Sequence, residues 1–193
     1  MRCRRPELAA ALLLGLLAGA DARAADADGN LAIKGIGLAA CNDYVAALDA
    51  RDARLEVFFG WASGYLTAVN RYESGVYDVI DWQSDGYIAI SLRGWCVANP
   101  ERRFFDAVFA MAQSLLPAAV GAASPQVTVE GIRLYRSTLD RVRERLEALG
   151  HYDPAAHGAD LLEASLLSFQ TARGLPPSGL PDTATLFALF SED

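Results

Sequence analysis

The chain has 193 residues and a formal net charge of −7. An acidic chain without a basic stripe to neutralise phosphates is a poor match for nucleic acid, which is excluded as a partner. Beyond the first two dozen residues no run is long and apolar enough to cross a membrane, and the remaining length suits two small domains better than one.

Residues 1–24 have the three parts of a secretory signal. Arg2, Arg4 and Arg5 give a positive start, residues 8–20 form a short apolar run, and Ala22-Arg23-Ala24 offers a small-x-small cleavage site. The expectation is therefore export to the periplasm, with the mature chain starting near Ala25 and no integral membrane segment after cleavage. An uncleaved anchor is the alternative; acidic Asp21 and the polar stretch after it favour a cut.

Loss of the leader removes Cys3 and leaves Cys41 and Cys96. An even cysteine count in an exported protein predicts one disulfide, with a nucleophilic or metal-bound thiol as the competing reading. Closing a loop of this length would constrain the unfolded chain by about 4 kcal/mol on the chain-entropy model. Both histidines, His151 and His157, lie late in the chain. No Cys-His pair, Ser-His-Asp triad or histidine-ligated metal can be assembled from residues 25–120 alone.

Residues 25–116 are expected to form a helical domain. Asn42 is placed as the cap of a first helix through Asp49. The segment 55–72 follows, with Phe58, Ala62, Tyr65, Val69 and Tyr72 at steps of three and four, which predicts a central helix with an aromatic face. Gly60 and Gly64 sit one turn apart beside that face, and their cost of about 1 kcal/mol each relative to alanine implies a second helix packed close against them. Residues 73–86 are rich in turn formers and carboxylates and are expected to be an irregular loop. Ser84 or Asp85 starts a third helix ending at Cys96. Asn99-Pro100-Glu101 signals the start of a fourth, with Phe104, Phe105, Val108, Met111, Leu115 and Leu116 on its buried face.

Cys41, the GWASGY run at 60–65, and Cys96 followed by Asn99-Pro100 resemble a group of small exported helical proteins. These are the HdeA-like acid-stress chaperones and the Tai-like immunity proteins. The resemblance covers roughly residues 35–117 and implies protein binding rather than catalysis.

Residues 117–126 are mostly small residues with glycine and proline, and are expected to form a linker. The domain at 127–193 begins with a short extended stretch at 127–129. A helix follows carrying Ile132, Tyr135, Leu139, Val142, Leu146 and Leu149, with Gly150 ending it. A second helix presents Leu162, Leu166 and Phe169, and Asp182 caps a third carrying Leu186, Leu189 and Phe190. Leu149-Gly150-His151-Tyr152, Phe169-Gln170, Gly174-Leu175, Ser178-Gly179, Asp182, Thr185 and Leu189, at these spacings, resemble the peptidoglycan-binding-like domain family. Where that family has a D-G-x-F-G-x-x-T segment, this chain has HGADLLEAS, retaining Gly158. The implied fold is all-α: a disulfide-stapled helical bundle followed by a three-helix peptidoglycan-binding-like domain. The implied ligand-binding positions are His151, Tyr152, Gly158, Gln170, Gly174, Ser178 and Gly179, on the edges of a shallow groove.

Catalysis of glycan cleavage would need two carboxylates in different environments. Glu73, Asp78, Asp81 and Asp85 are the available cluster, with Trp82 as a sugar platform, but acids in such a loop are expected to be solvated. No catalytic residue, metal site or cofactor is expected. The functional expectation is a non-enzymatic exported protein that associates with peptidoglycan. The alternatives are a periplasmic inhibitor of a wall-lytic enzyme, contacting its protein partner through the loop at 73–86, and an acid-stress chaperone.

Overall fold

The apolar spacing of the first half becomes four helices around an aromatic centre. The computed structural model describes residues 26, 28, 30–152 and 161–191, so the expected leader and Gly158 lie outside the described residues. Helices α1 (Cys41–Ala50), α2 (Arg54–Tyr72), α3 (Asp85–Ala98) and α4 (Phe104–Leu115) pack around Tyr44, Phe58, Leu92, Phe104 and Val108. The rings of Tyr44, Phe58 and Phe104 meet pairwise at 4.8–5.3 Å between centroids, within the range where edge and tilted contacts add to area burial. Among the described residues no helix is long and apolar enough to cross a membrane.

Cys41 opens α1 and Cys96 lies in the last turn of α3, and the two form a disulfide with Cα atoms 4.8 Å apart. Asn42 does not cap α1. The cap position is Ala40, and the first orphan donors are met by backbone instead: Cys41 N donates to Arg102 O at 2.8 Å and Asn42 N to Pro100 O at 3.1 Å. The turn between α3 and α4 thus caps α1, beside the disulfide. The expected start of α4 at Asn99 is also corrected. Asn99 closes α3, its side-chain amide donating to Trp95 O at 2.9 Å, and α4 begins at Phe104. There Arg103 N donates to Asp106 Oδ2 at 3.2 Å, a carboxylate in the first turn.

The central helix differs from expectation on two faces. Phe58, Ala62 and Leu66 are sealed, Tyr65 and Val69 are half-buried, and Tyr72 is 82% exposed. Steps of four carry the buried stripe toward Leu66, away from the side on which Tyr72 emerges. Gly60 and Gly64 are exposed, and a Cβ at either would meet nothing within 4 Å. Among the described residues no helix packs on that stripe. The glycine demanded by close packing is Gly37, in a 3-10 turn at Gly35–Leu38, where a Cβ would collide with the Trp61 ring. That ring is held by its own Nε1, which donates to Lys34 O at 2.8 Å.

In the second half the all-α expectation is corrected by a hairpin. β1 (Gln126–Val129) pairs antiparallel with β2 (Ile132–Tyr135), Val127 opposite Leu134 and Val129 opposite Ile132. Glu130 and Gly131 both take positive φ, as a two-residue turn of matching twist requires. Ile132 and Tyr135 therefore belong to a strand, and α5 (Arg136–Ala148) starts four residues later than its apolar spacing suggested. From Leu139 on the expected face holds, with Leu139, Val142 and Leu146 buried. Gly150, at φ 77, ends α5 as expected: its N–H reaches Glu147 O and that of His151 reaches Leu146 O. α6 (Leu161–Arg173) and α7 (Thr183–Phe190) complete a second core with Leu166, Phe169, Leu186 and Leu189. Asp182 caps α7, accepting from Thr185 N at 2.9 Å.

Residues 117–126 join the halves through a 3-10 turn at Leu116–Ala118. Val120 then exchanges backbone hydrogen bonds with Asp78 in both directions. From Ile33 onward the chain is one compact unit.

Three stability effects are expected. Ala at Gly60 or Gly64 removes a helix-interior glycine at no steric cost, so each substitution should raise unfolding free energy by about 0.5–1 kcal/mol. Gly37→Ala should lower it by about 1–3 kcal/mol through overpacking. Urea unfolding of the three variants measures both signs. Replacing both Cys41 and Cys96 by serine should cost about 2–4 kcal/mol in the same assay.

Candidate binding cleft

The segment 78–84 was expected to be solvated, and the structure buries most of it. Asn70, on α2, holds its entrance, accepting from Val79 N at 2.8 Å and donating to Asp78 Oδ1 at 3.1 Å. The other Asp78 oxygen accepts from the Tyr135 hydroxyl at 2.6 Å. Burial first and the adjoining Asp78 second push that hydroxyl's pKa up to about 12.

Three residues on, the Asp81 side chain is 1% exposed. Its Oδ1 accepts a hydrogen bond from the Thr138 hydroxyl, and Oδ2 lies 2.8 Å from the Arg141 guanidinium, an ion pair without well-aligned hydrogen-bond geometry. Thr138 and Arg141 are one turn apart on α5, so they reach the same carboxylate. Burial raises the Asp81 pKa; the Thr138 bond and the Arg141 charge oppose the rise without cancelling it.

Trp82 then leaves the first half altogether and joins the second core. Its ring meets Tyr87 at 5.2 Å and Phe190 at 6.2 Å. Arg141 lies over the far side of this group, 4.8 Å from the Phe190 centroid. A ring so enclosed is a wall, not the open sugar platform expected for it.

Between the 81–84 segment, β2 and the start of α7 lies a cleft of about 340 Å³. Its apolar lining is Trp82, Ile132, Pro181 and Leu186, and its polar lining comprises Asp81, Gln83, Ser84, Arg133, Asp182 and Thr183. Ser84 and Asp182 cap α3 and α7, and the Thr183 hydroxyl donates to Ser84 Oγ at 3.2 Å, so two helix starts meet at the cleft. Both carboxylates are committed, Asp81 to Thr138 and Arg141, and Asp182 to Thr185 and Ser178. A volume at the small end of ligand sites, an apolar wall and a few convergent polar groups suit a small, uncharged, hydroxyl- or amide-bearing group.

The positions singled out from sequence lie elsewhere. Gln170 is fully buried and all of its polar capacity is used: Nε2 meets Ser178 Oγ, Leu180 O and Thr185 Oγ1 at 2.9–3.1 Å, while Oε1 accepts from Gly179 N at 2.8 Å. Ser178 Oγ also donates to Asp182 Oδ2 at 3.0 Å. Gln170, Ser178 and Gly179 are thus one knot fastening the 174–179 loop to α6 and α7, with Gly174 at the end of α6. His151 Nδ1 lies 2.9 Å from Ser168 Oγ and its ring stands edge-on to Phe169, while Tyr152 is half-buried against the second core. None of these residues lines the cleft. Gln83, Ser84, Arg133 and Thr183, which do, carry no motif; the one sequence signal was a run of polar residues around Trp82.

No protein-family model, curated protein or solved structure matches this chain. Its functional reading rests on the geometry.

The sign of the Asp81 shift makes a pH test. A carboxyl whose folded pKa lies above its unfolded value contributes stability that is full below about 3.8 and is lost as pH rises through the folded pKa. Asp81→Asn removes this titration, so the stability of the variant relative to the parent should increase from pH 3 to pH 7. Urea midpoints across that range measure it. A relative stability that falls instead would mean that the Arg141 pair, not burial, governs Asp81.

Proposed function

We propose that this protein is a non-enzymatic, exported, periplasmic protein that associates with the cell wall, the α5–α7 region acting as a peptidoglycan-binding-like module. The observation that carries the reading is the Gln170 knot. Phe169-Gln170, Ser178-Gly179, Asp182 and Thr185, the succession that resembles the peptidoglycan-binding-like family, converge on one network that sets the packing of α6 against α7. A motif whose members bond to one another supports a shared module better than spacing alone.

The non-catalytic reading is supported by the state of the carboxylates. Asp78 is divided between Asn70 and Tyr135, and Asp81 between Thr138 and Arg141. Neither is left as a free acid or base beside the cleft. The same commitments weigh against the loop at 73–86 as a docking surface for a lytic enzyme, since Val79 and Ile80 pack into the first core and Asp81 and Trp82 against the second half of the chain. Acid opening is disfavoured at this junction too, because protonation of Asp81 favours the folded state.

Residues 25–193 should co-sediment saturably with purified peptidoglycan sacculi and be released when the wall is digested to soluble fragments. Retention no greater than that of an unrelated protein of equal negative charge would overturn the proposal.

A further inference from the structure

We propose that the cleft between residues 81–84 and the start of α7 binds one N-acylated amino-sugar unit, with Gln83 as the group that recognises the acyl carbonyl. The choice of sugar rests on the wall-associated reading above; the site rests on the cleft itself.

Gln83 is 9% exposed, and its Oε1 accepts from Asp81 N at 3.0 Å. A backbone N–H can be met only by an acceptor, so this bond fixes which end of the amide is which. The Nε2 end then carries two N–H donors, and no described residue accepts from them. It is not sealed, either: among the described residues, Asp81 Oδ2 and Ser137 Oγ are the enclosed side-chain atoms lacking a hydrogen bond. A residue this buried, with an unpaired and reachable donor, lines the cleft. A carbonyl oxygen from a bound group would take the place of water at these donors.

The other walls select the rest of the ligand. Thr183 and Ser84 supply hydroxyls that exchange donor and acceptor roles by rotation, which suits sugar hydroxyls. Ile132 and Leu186 offer apolar surface to an acyl methyl, and Trp82 bounds the same space. A cation would find Asp81 and Asp182 already engaged, and the remaining charged group of the lining, Arg133, offers N–H donors that sugar hydroxyls can accept from. The volume accommodates one ring rather than a length of polymer.

The test titrates residues 25–193 with N-acetylglucosamine, glucosamine and glucose, following amide chemical shifts, and repeats the series with Gln83→Glu. That variant keeps the acceptor for Asp81 N–H and removes the donor. The expected result is saturable binding of the N-acetylated sugar alone, weakened by about tenfold in Gln83→Glu and about threefold in Thr183→Val, in line with loss of one hydrogen bond. Thr183→Val stands in should Gln83→Glu fail to fold. Equal binding of acetylated and free sugars, no saturation, or undiminished affinity in the variants would overturn the cleft assignment. Retention on sacculi without a sugar response would overturn the cleft and leave the wall reading standing. A sugar response without retention on sacculi would do the reverse.

Discussion

The Asp81 carboxylate, buried against Thr138 and Arg141, is the constraint on which the joining of the two halves depends. Taking a charge out of water costs several kcal/mol, and a partner's attraction offsets that only when the geometry is good. Such a pair contributes little net stability, but it admits few arrangements, because withdrawing Arg141 leaves the Asp81 charge buried without its counter-ion. The segment from Asp78 to Ser84 is therefore held along a defined path. Asn70 grips it from the first half, Tyr135 from the hairpin and Thr138 from α5. Trp82 and Gln83 are placed by that path, one as part of the second core and the other beside the cleft.

Around this seam the two cores are built in different ways. The first is aromatic, and its order in space is reinforced by the disulfide between the start of α1 and the end of α3, where the α3–α4 turn also caps α1. The second is mostly aliphatic and small, and it completes itself by borrowing Trp82 and the partly buried Tyr87 from the first half. A core of that size gains much from one large ring, because indole burial removes more apolar area from water than any aliphatic side chain. The chain from 33 onward is thus a single compact unit although its sequence reads as two.

Two buried glutamines show how the same side chain serves different ends. Gln170 has every polar atom engaged within the 174–179 loop and α7, and so acts as a fastener. Gln83 lines the cleft with its carbonyl engaged, and its amide donors meet no acceptor among the described residues. Buried polar groups are normally satisfied, so the half-used amide is the informative one. The difference lies in the surroundings of each residue and not in its type.

What the sequence by itself determined was local. Periods of three and four placed the helices, Asp182 and Ser84 announced helix starts, Gly150 announced an end, and the two cysteines beyond the expected leader announced the pairing of Cys41 with Cys96. These follow from backbone and capping chemistry within a few residues, or from there being a single possible pairing. Tertiary structure decided the rest. Ile132 and Tyr135 satisfy a helical period as well as a strand, and only pairing with β1 chose the strand. Gly60 and Gly64 looked like a packing stripe until the fold left them facing solvent, while Gly37 proved to be the crowded one. Asp81 read as a solvated acid and Trp82 as a sugar platform, because the groups that bury them arrive from positions 138, 141 and 190. Burial is a property of what the distant chain brings, and no spacing within a segment records it.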